Sequence, residues 1–170
     1  TAAMFETPPL DILRRALAAD ARLAPLADAR LEPLPGRSIA HAHVLVDGAA
    51  IDGVIAVLRI PRVSQWGMEP RAQLAYEAAA FTRAAPSGVT PRLLGTLPLQ
   101  DGLPMGALVV EFINGAKPRL PRHLDRIAKT LARVHALPLP APEARPPLLV
   151  HDDPVAETLF GLPYDVLLVE

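Results

Sequence analysis

Apolar positions along the chain recur at two spacings, one near 3.6 and one near 2, and the switches between them mark out the elements. Leu10, Leu13 and Leu17 stand at helical spacing with Ile12 beside them. Pro8 and Pro9 precede them, where a helix can open, and Thr7 is the expected cap. This predicts a first helix to about residue 21. Residues 43–46 and 54–60 are apolar runs of strand length, with Asp47-Gly48 and Asp52-Gly53 between them as hairpin signals. Residues 31–34 give a further strand, and Gly36-Arg37-Ser38 lies at the turn joining it to the next. Pro61 ends its run because it cannot donate to a ladder. Pro70 then opens a stretch of helix formers over 71–85, with Leu74, Ala78 and Phe81 on one side, stopped by Pro86 and Gly88. Residues 91–99 and 106–112 read as two more strands around an Asp101-Gly102 turn. After a break at Asn114-Gly115, residues 120–136 form an amphipathic helix whose stripe of Leu124, Ile127, Leu131 and Val134 is expected to be core. Residues 137–142 form a proline-rich link.

The tight turns make neighbouring strands antiparallel, so the predicted class is α+β: about five antiparallel strands with one packed helix, then a hinge and a helical segment. Composition narrows this further. At 51% hydrophobic residues the chain can build a core, and at 4% aromatics that core must be aliphatic. A net charge of −1 gives no reason to expect nucleic acid or an acidic membrane as partner. The chain has no cysteine, which excludes disulfides and thiolate metal sites. The apolar runs are too short to span a bilayer, and no basic-then-apolar leader is visible at the N-terminus, so the cytoplasm is the expected compartment. A first residue of Thr suggests a trimmed chain. His41 and His43 share a strand face, as metal ligands would, but without a third His or a Cys nearby a metal site is not expected. Trp66 in its loop reads equally as a lid or as a hydrophobic plug.

Several strings then fall in a recognisable order. Leu34-Pro35-Gly36-Arg37-Ser38 is followed by Val57-Leu58-Arg59-Ile60-Pro61 and by Tyr76-Glu77-Ala78-Ala79-Ala80-Phe81. Further on come Pro91-Arg92-Leu93-Leu94-Gly95, Leu108-Val109-Val110-Glu111-Phe112-Ile113-Asn114-Gly115 and Leu131-Ala132-Arg133-Val134-His135-Ala136-Leu137-Pro138. Over roughly residues 30–138 the chain resembles the aminoglycoside phosphotransferases and the wider choline-kinase-like group. That resemblance implies the smaller lobe of a protein-kinase-like fold at 26–115, preceded by a helix within 1–25. A hinge and the start of a helical second lobe would follow at 116–170. It also implies ATP (or GTP) with magnesium as cofactor, transfer to a hydroxyl of a small molecule, and a possible homo-oligomer. By position, Gly36, Arg37 and Ser38 would form the phosphate turn, and Arg59 would hold phosphate oxygens with Glu77 orienting it. Glu111 and Ile113 would present backbone groups to the base, and Val44 and Ala56 would close on its faces.

The departures are specific. Ile39 stands where the family turn has Asn, and Arg59 where its drug-modifying members have Lys, a change of geometry as well as of side chain. The family's His-Gly-Asp catalytic loop and metal Asp have no convincing counterpart, so no catalytic residue is assigned. His151-Asp152-Asp153, with Thr158 at the Asn position, imitates the loop. It lacks the Gly, comes soon after the helix, and reads as a surface turn capped by Asp152 or Asp153. His135 is expected to bond backbone near its helix end. The catalytic residues of a complete enzyme would then lie beyond Glu170, and this stretch by itself is not expected to transfer phosphate. A kinase-like module that binds nucleotide or a partner protein without catalysis is the alternative.

Overall fold

The computed structural model describes residues 7–35, 38, 40–64 and 67–144. Gly36, Arg37, Trp66 and the His151-Asp152-Asp153 string lie outside them. Strands β1 (Arg30–Pro33), β2 (His41–Ile51), β3 (Val54–Pro61), β4 (Leu93–Leu97) and β5 (Ala107–Glu111) form one sheet in the order β1-β2-β3-β5-β4, antiparallel throughout. Helices α1 (Leu10–Ala18), α2 (Pro70–Ala84) and α3 (Leu124–His135) accompany it. This is the α+β arrangement that the resemblance implied for a kinase-like smaller lobe.

The β2–β3 turn is the pair Asp52-Gly53, with φ of +51° and +76°. Positive φ at both positions suits the right-handed twist of the flanking strands, and Asp and Gly tolerate it. Asp47-Gly48 has a different role from the expected one. It does not separate strands but lies inside β2, where Val46 pairs with Ala56 and Ala50 with Ile55, so three residues bulge out against β3. Gly48, at φ +84°, makes the bend possible.

Alternation then divides the sheet into two faces. On one face Ala42, Val44 and Val46 of β2 and Ala56, Leu58 and Ile60 of β3 pack against Leu13, Ala16 and Leu17 of α1. Each buried Val, Leu or Ile among them contributes about 1.5–3 kcal/mol by leaving water. On the other face Val57, Leu108 and Val110 receive Leu74, Ala78 and Phe81 of α2.

The helix ends are local. α1 stops at Ala18, short of 21, because the Asp20 carboxylate accepts from the N–H groups of Arg22 and Leu23 at 2.9 and 3.1 Å and turns the chain. Its N-cap is Pro9 without a side-chain bond, so Thr7 is not the cap. α2 starts with Pro70 in its first turn, where the missing N–H costs nothing. α3 begins four residues later than the sequence suggests. His123 Nδ1 accepts from the Arg119 N–H at 2.9 Å, and Leu124 N bonds Pro121 O, closing a turn before the helix proper. Its apolar stripe is not core among the described residues: Leu124 is 56% and Leu131 53% exposed. Periodicity marks a face that water disfavours; Ile127 and Val134 on it are half-buried, and no α3 residue is fully buried. Among the described residues no helix is long and apolar enough to cross a membrane.

Candidate functional site

The α2-facing side of the sheet carries a polar cluster beside its apolar patch. In β2, His41 and His43 fall on this face, and His43 pairs across the ladder with Arg59 of β3. From α2, Gln73 and Glu77, one turn apart, present their side chains to the same place. Glu77 is the hub. Its Oε1 accepts from Gln73 Nε2 at 3.0 Å, and both carboxylate oxygens lie 3.3 Å from His41 Nε2. Arg59 Nε donates to Oε2 at 3.4 Å. The expected Arg59–Glu77 pair is therefore formed.

Burial of the Glu77 carboxyl pushes its pKa up, but the hydrogen bonds from His41 and Gln73 and the charges of His41 and Arg59 outweigh this. Together they bring it from 4.5 down to about 2. Glu77 is thus a carboxylate at any neutral pH. Burial, and the charges of Arg59, His41 and Arg62, hold His43 below the ordinary imidazole value.

Arg59 is 31% exposed, and among the described residues its two terminal nitrogens have no hydrogen-bond partner. The preceding turn is tied to this cluster. Ser38 Oγ accepts from the His41 N–H at 3.2 Å, and Arg62 Nη1 donates to the Ser38 carbonyl at 2.6 Å. The structure thus brings Arg59 and Glu77 together on the α2-facing side and ties Ser38 to the His41 backbone and the Arg62 side chain.

Glu111 and Ile113 lie at the end of β5. Glu111 turns its carboxylate to Arg92, accepting from the Arg92 N–H at 3.1 Å and lying 3.5 Å from its Nε. The Glu111 N–H donates to Arg92 O and that of Phe112 to Ile55 O. The Ile113 backbone has no hydrogen bond to any described residue.

Val44 and Ala56 are not where the resemblance put them. Both are fully buried on the α1 face, packed into the aliphatic core. The residues of the same strands that face α2 are Leu45, paired with Val57, and His43, paired with Arg59. Among the described residues, no group of three or more His, Cys, Asp or Glu could hold a metal ion.

His41 and Gln73 were not singled out from the sequence as members of this cluster. Signals for both existed: Gln73 precedes Glu77 by four residues on a helix, and His41 shares strand parity with His43, the partner of Arg59. A model of the phosphotransferase enzyme family matches residues 44–157, more than half of the chain. That stretch holds Arg59, Glu77, Glu111 and Ile113, and leaves out His41. The comparisons with curated proteins and with solved structures give no significant match.

Proposed function

The chain belongs to the phosphotransferase enzyme family, and from that premise we propose that it binds ATP on the α2-facing side of its sheet for phosphoryl transfer to a hydroxyl of a small molecule. Phosphoryl transfer asks the protein chiefly for positioning and for charge placed against the phosphates. The observation that carries the reading is Arg59: its Nε meets Glu77, and among the described residues its other two nitrogens have no partner. An arginine can divide its donors in this way, with Nε used for orientation and the terminal pair for a phosphate. A lysine's three donors share one nitrogen, whereas Arg spreads the two contacts over a planar fork, so Arg at this position is a working variant of the family's cation.

Ser38, just before β2, adds a hydroxyl, and Gly36 and Arg37 precede it in the sequence. The backbone of Ile113 supplies the polar groups that an adenine edge requires. Glu111 supports that segment through Arg92. Magnesium, when bound, would neutralise charge on the phosphates; the described residues offer no ligand set for it.

The test is a titration of the purified protein with magnesium–ATP and magnesium–GTP, followed by phosphate-transfer assays on a panel of hydroxylated acceptors. Arg59→Ala should weaken nucleotide binding by about tenfold or more, the scale of a lost charge-assisted bond. Arg59→Lys should recover only part of the loss. Absence of nucleotide binding, or equal affinity in Arg59→Ala, would overturn the reading. Binding without transfer on any acceptor would favour the non-catalytic module. Transfer that disappears in Asp153→Ala would make His151-Asp152-Asp153 the catalytic loop.

A further inference from the structure

We propose that His41 is a positioning residue for Arg59: its Nε2–H holds the Glu77 carboxylate and thereby keeps α2 and the Arg59 guanidinium in register on the sheet. This rests on the nucleotide-binding reading above and extends it to a residue outside the stretch matched by the family model.

The contact between Arg59 and Glu77 cannot do this by itself. It is one N–H at 3.4 Å, from a guanidinium that is 31% exposed and therefore open to competition from water. Gln73 holds Glu77 at 3.0 Å, but both residues sit on α2, so their bond moves with the helix. Gln73 reaches off the helix only through a 3.4 Å bond to Val63 O. His41 differs from both. It belongs to β2, is 5% exposed, and lies 3.3 Å from each carboxylate oxygen.

Glu77 carries no proton at neutral pH, so the hydrogen in this contact belongs to His41 Nε2. The tautomer follows from the network. Sliding α2 would strand a buried carboxylate and a buried N–H together, and each alone is costly to leave without a partner. The groups facing Glu77 are then His41 from β2, Arg59 from β3 and Gln73 from its own helix. His43 and Arg62 lie close enough to add charge around Arg59. Among the sheet residues in this set, His41 is the most buried. With the carboxylate free to rotate, Oε2 would no longer sit under Arg59 Nε, and the two terminal nitrogens would lose their aim.

The experiment compares wild type, His41→Leu, His41→Gln, Arg59→Ala and the His41→Leu/Arg59→Ala double variant in magnesium–ATP binding. His41→Leu should lose affinity by about tenfold, the effect of one bond to a charged group, and His41→Gln, which keeps an N–H near the same place, should stay within about threefold of wild type. In the Arg59→Ala background, His41→Leu should cost nothing further, because its effect passes through Arg59. An equal loss in both backgrounds, or none in either, would overturn the proposal.

A second readout needs neither a ligand nor a variant. Nitrogen NMR of His41 in the wild-type protein should show a slowly exchanging hydrogen on Nε2, and an imidazole protonated only on Nδ1 would overturn the proposal. If wild type binds no nucleotide at all, the phosphotransferase reading fails. The NMR result then still decides whether His41 anchors Glu77.

Discussion

β2 and β3 serve two neighbours with the same backbone, and the two faces they offer differ in almost everything else. Towards α1 they present Ala42, Val44, Val46, Ala56, Leu58 and Ile60, a surface without a polar side chain. Towards α2 they present His43 opposite Arg59 and Leu45 opposite Val57, with His41 reaching Glu77. The ladder bonds are shared, so the contrast comes only from alternation. Burial on one side supplies stability, and the other side can then hold charge that would be expensive in an isolated core. These polar residues do not need a loop; they need the right parity.

Substitutions on each face sharpen that contrast. The largest effect is expected from Leu58→Ala, at the centre of the α1 face: a loss of about 2–5 kcal/mol in urea unfolding, as for other fully buried leucines. Nucleotide affinity, measured where both forms are folded, should hardly change. An effect on binding as large as that of Arg59→Ala would break the division.

Next comes Glu77→Gln. Folding lowers the Glu77 pKa from 4.5 to about 2, so its charge stabilises the folded state above pH 4.5, and this contribution is lost as pH falls towards 2. The stability difference between wild type and Glu77→Gln should therefore be flat above about pH 5, at up to about 3 kcal/mol, and close as the pH falls. A difference independent of pH would mean that the carboxylate charge plays no part. The smallest effect belongs to Ile55→Thr. Ile55 shares the α2-facing parity but is 48% exposed, and its loss should stay within about 0.5 kcal/mol by thermal unfolding.

Much of this was legible in the sequence. Asp52-Gly53 and the helix opened by Pro70 are local signals, and the structure has a two-residue turn and α2 there. Arg59 and Glu77 could be paired because the order of strings resembles a known family. What stayed hidden depends on tertiary placement. Ala56 was set on the wrong face against its own parity, since three residues from Arg59 on one strand it must point the other way; Val44 could be placed only once its register opposite Leu58 was known. The stripe on α3 showed that one side of that helix is apolar, while its exposure depends on what packs there. His41 was read only with His43, as two residues on one strand face for which no metal was expected. Its role as a partner of Glu77 exists only once α2, about thirty residues later, lies across the sheet.

The bulge in β2 has a consequence for how this lobe can change in length. Asp47, Gly48 and Ala49 stand between Val46, opposite Ala56, and Ala50, opposite Ile55. Because three is odd, the bulge exchanges the parity of β2: Val46 before it and Ile51 after it both reach the α1 core. Gaining or losing two residues there would leave every side chain on its present side. Deleting a single residue from 44–46 would turn His41 and His43 towards the aliphatic core and bring Ala42 up beneath Glu77. Descendants of this chain are thus free to drift in length at Gly48, in steps of two, while the stretch from His41 to Val46 is held to its present count by the contents of the two faces.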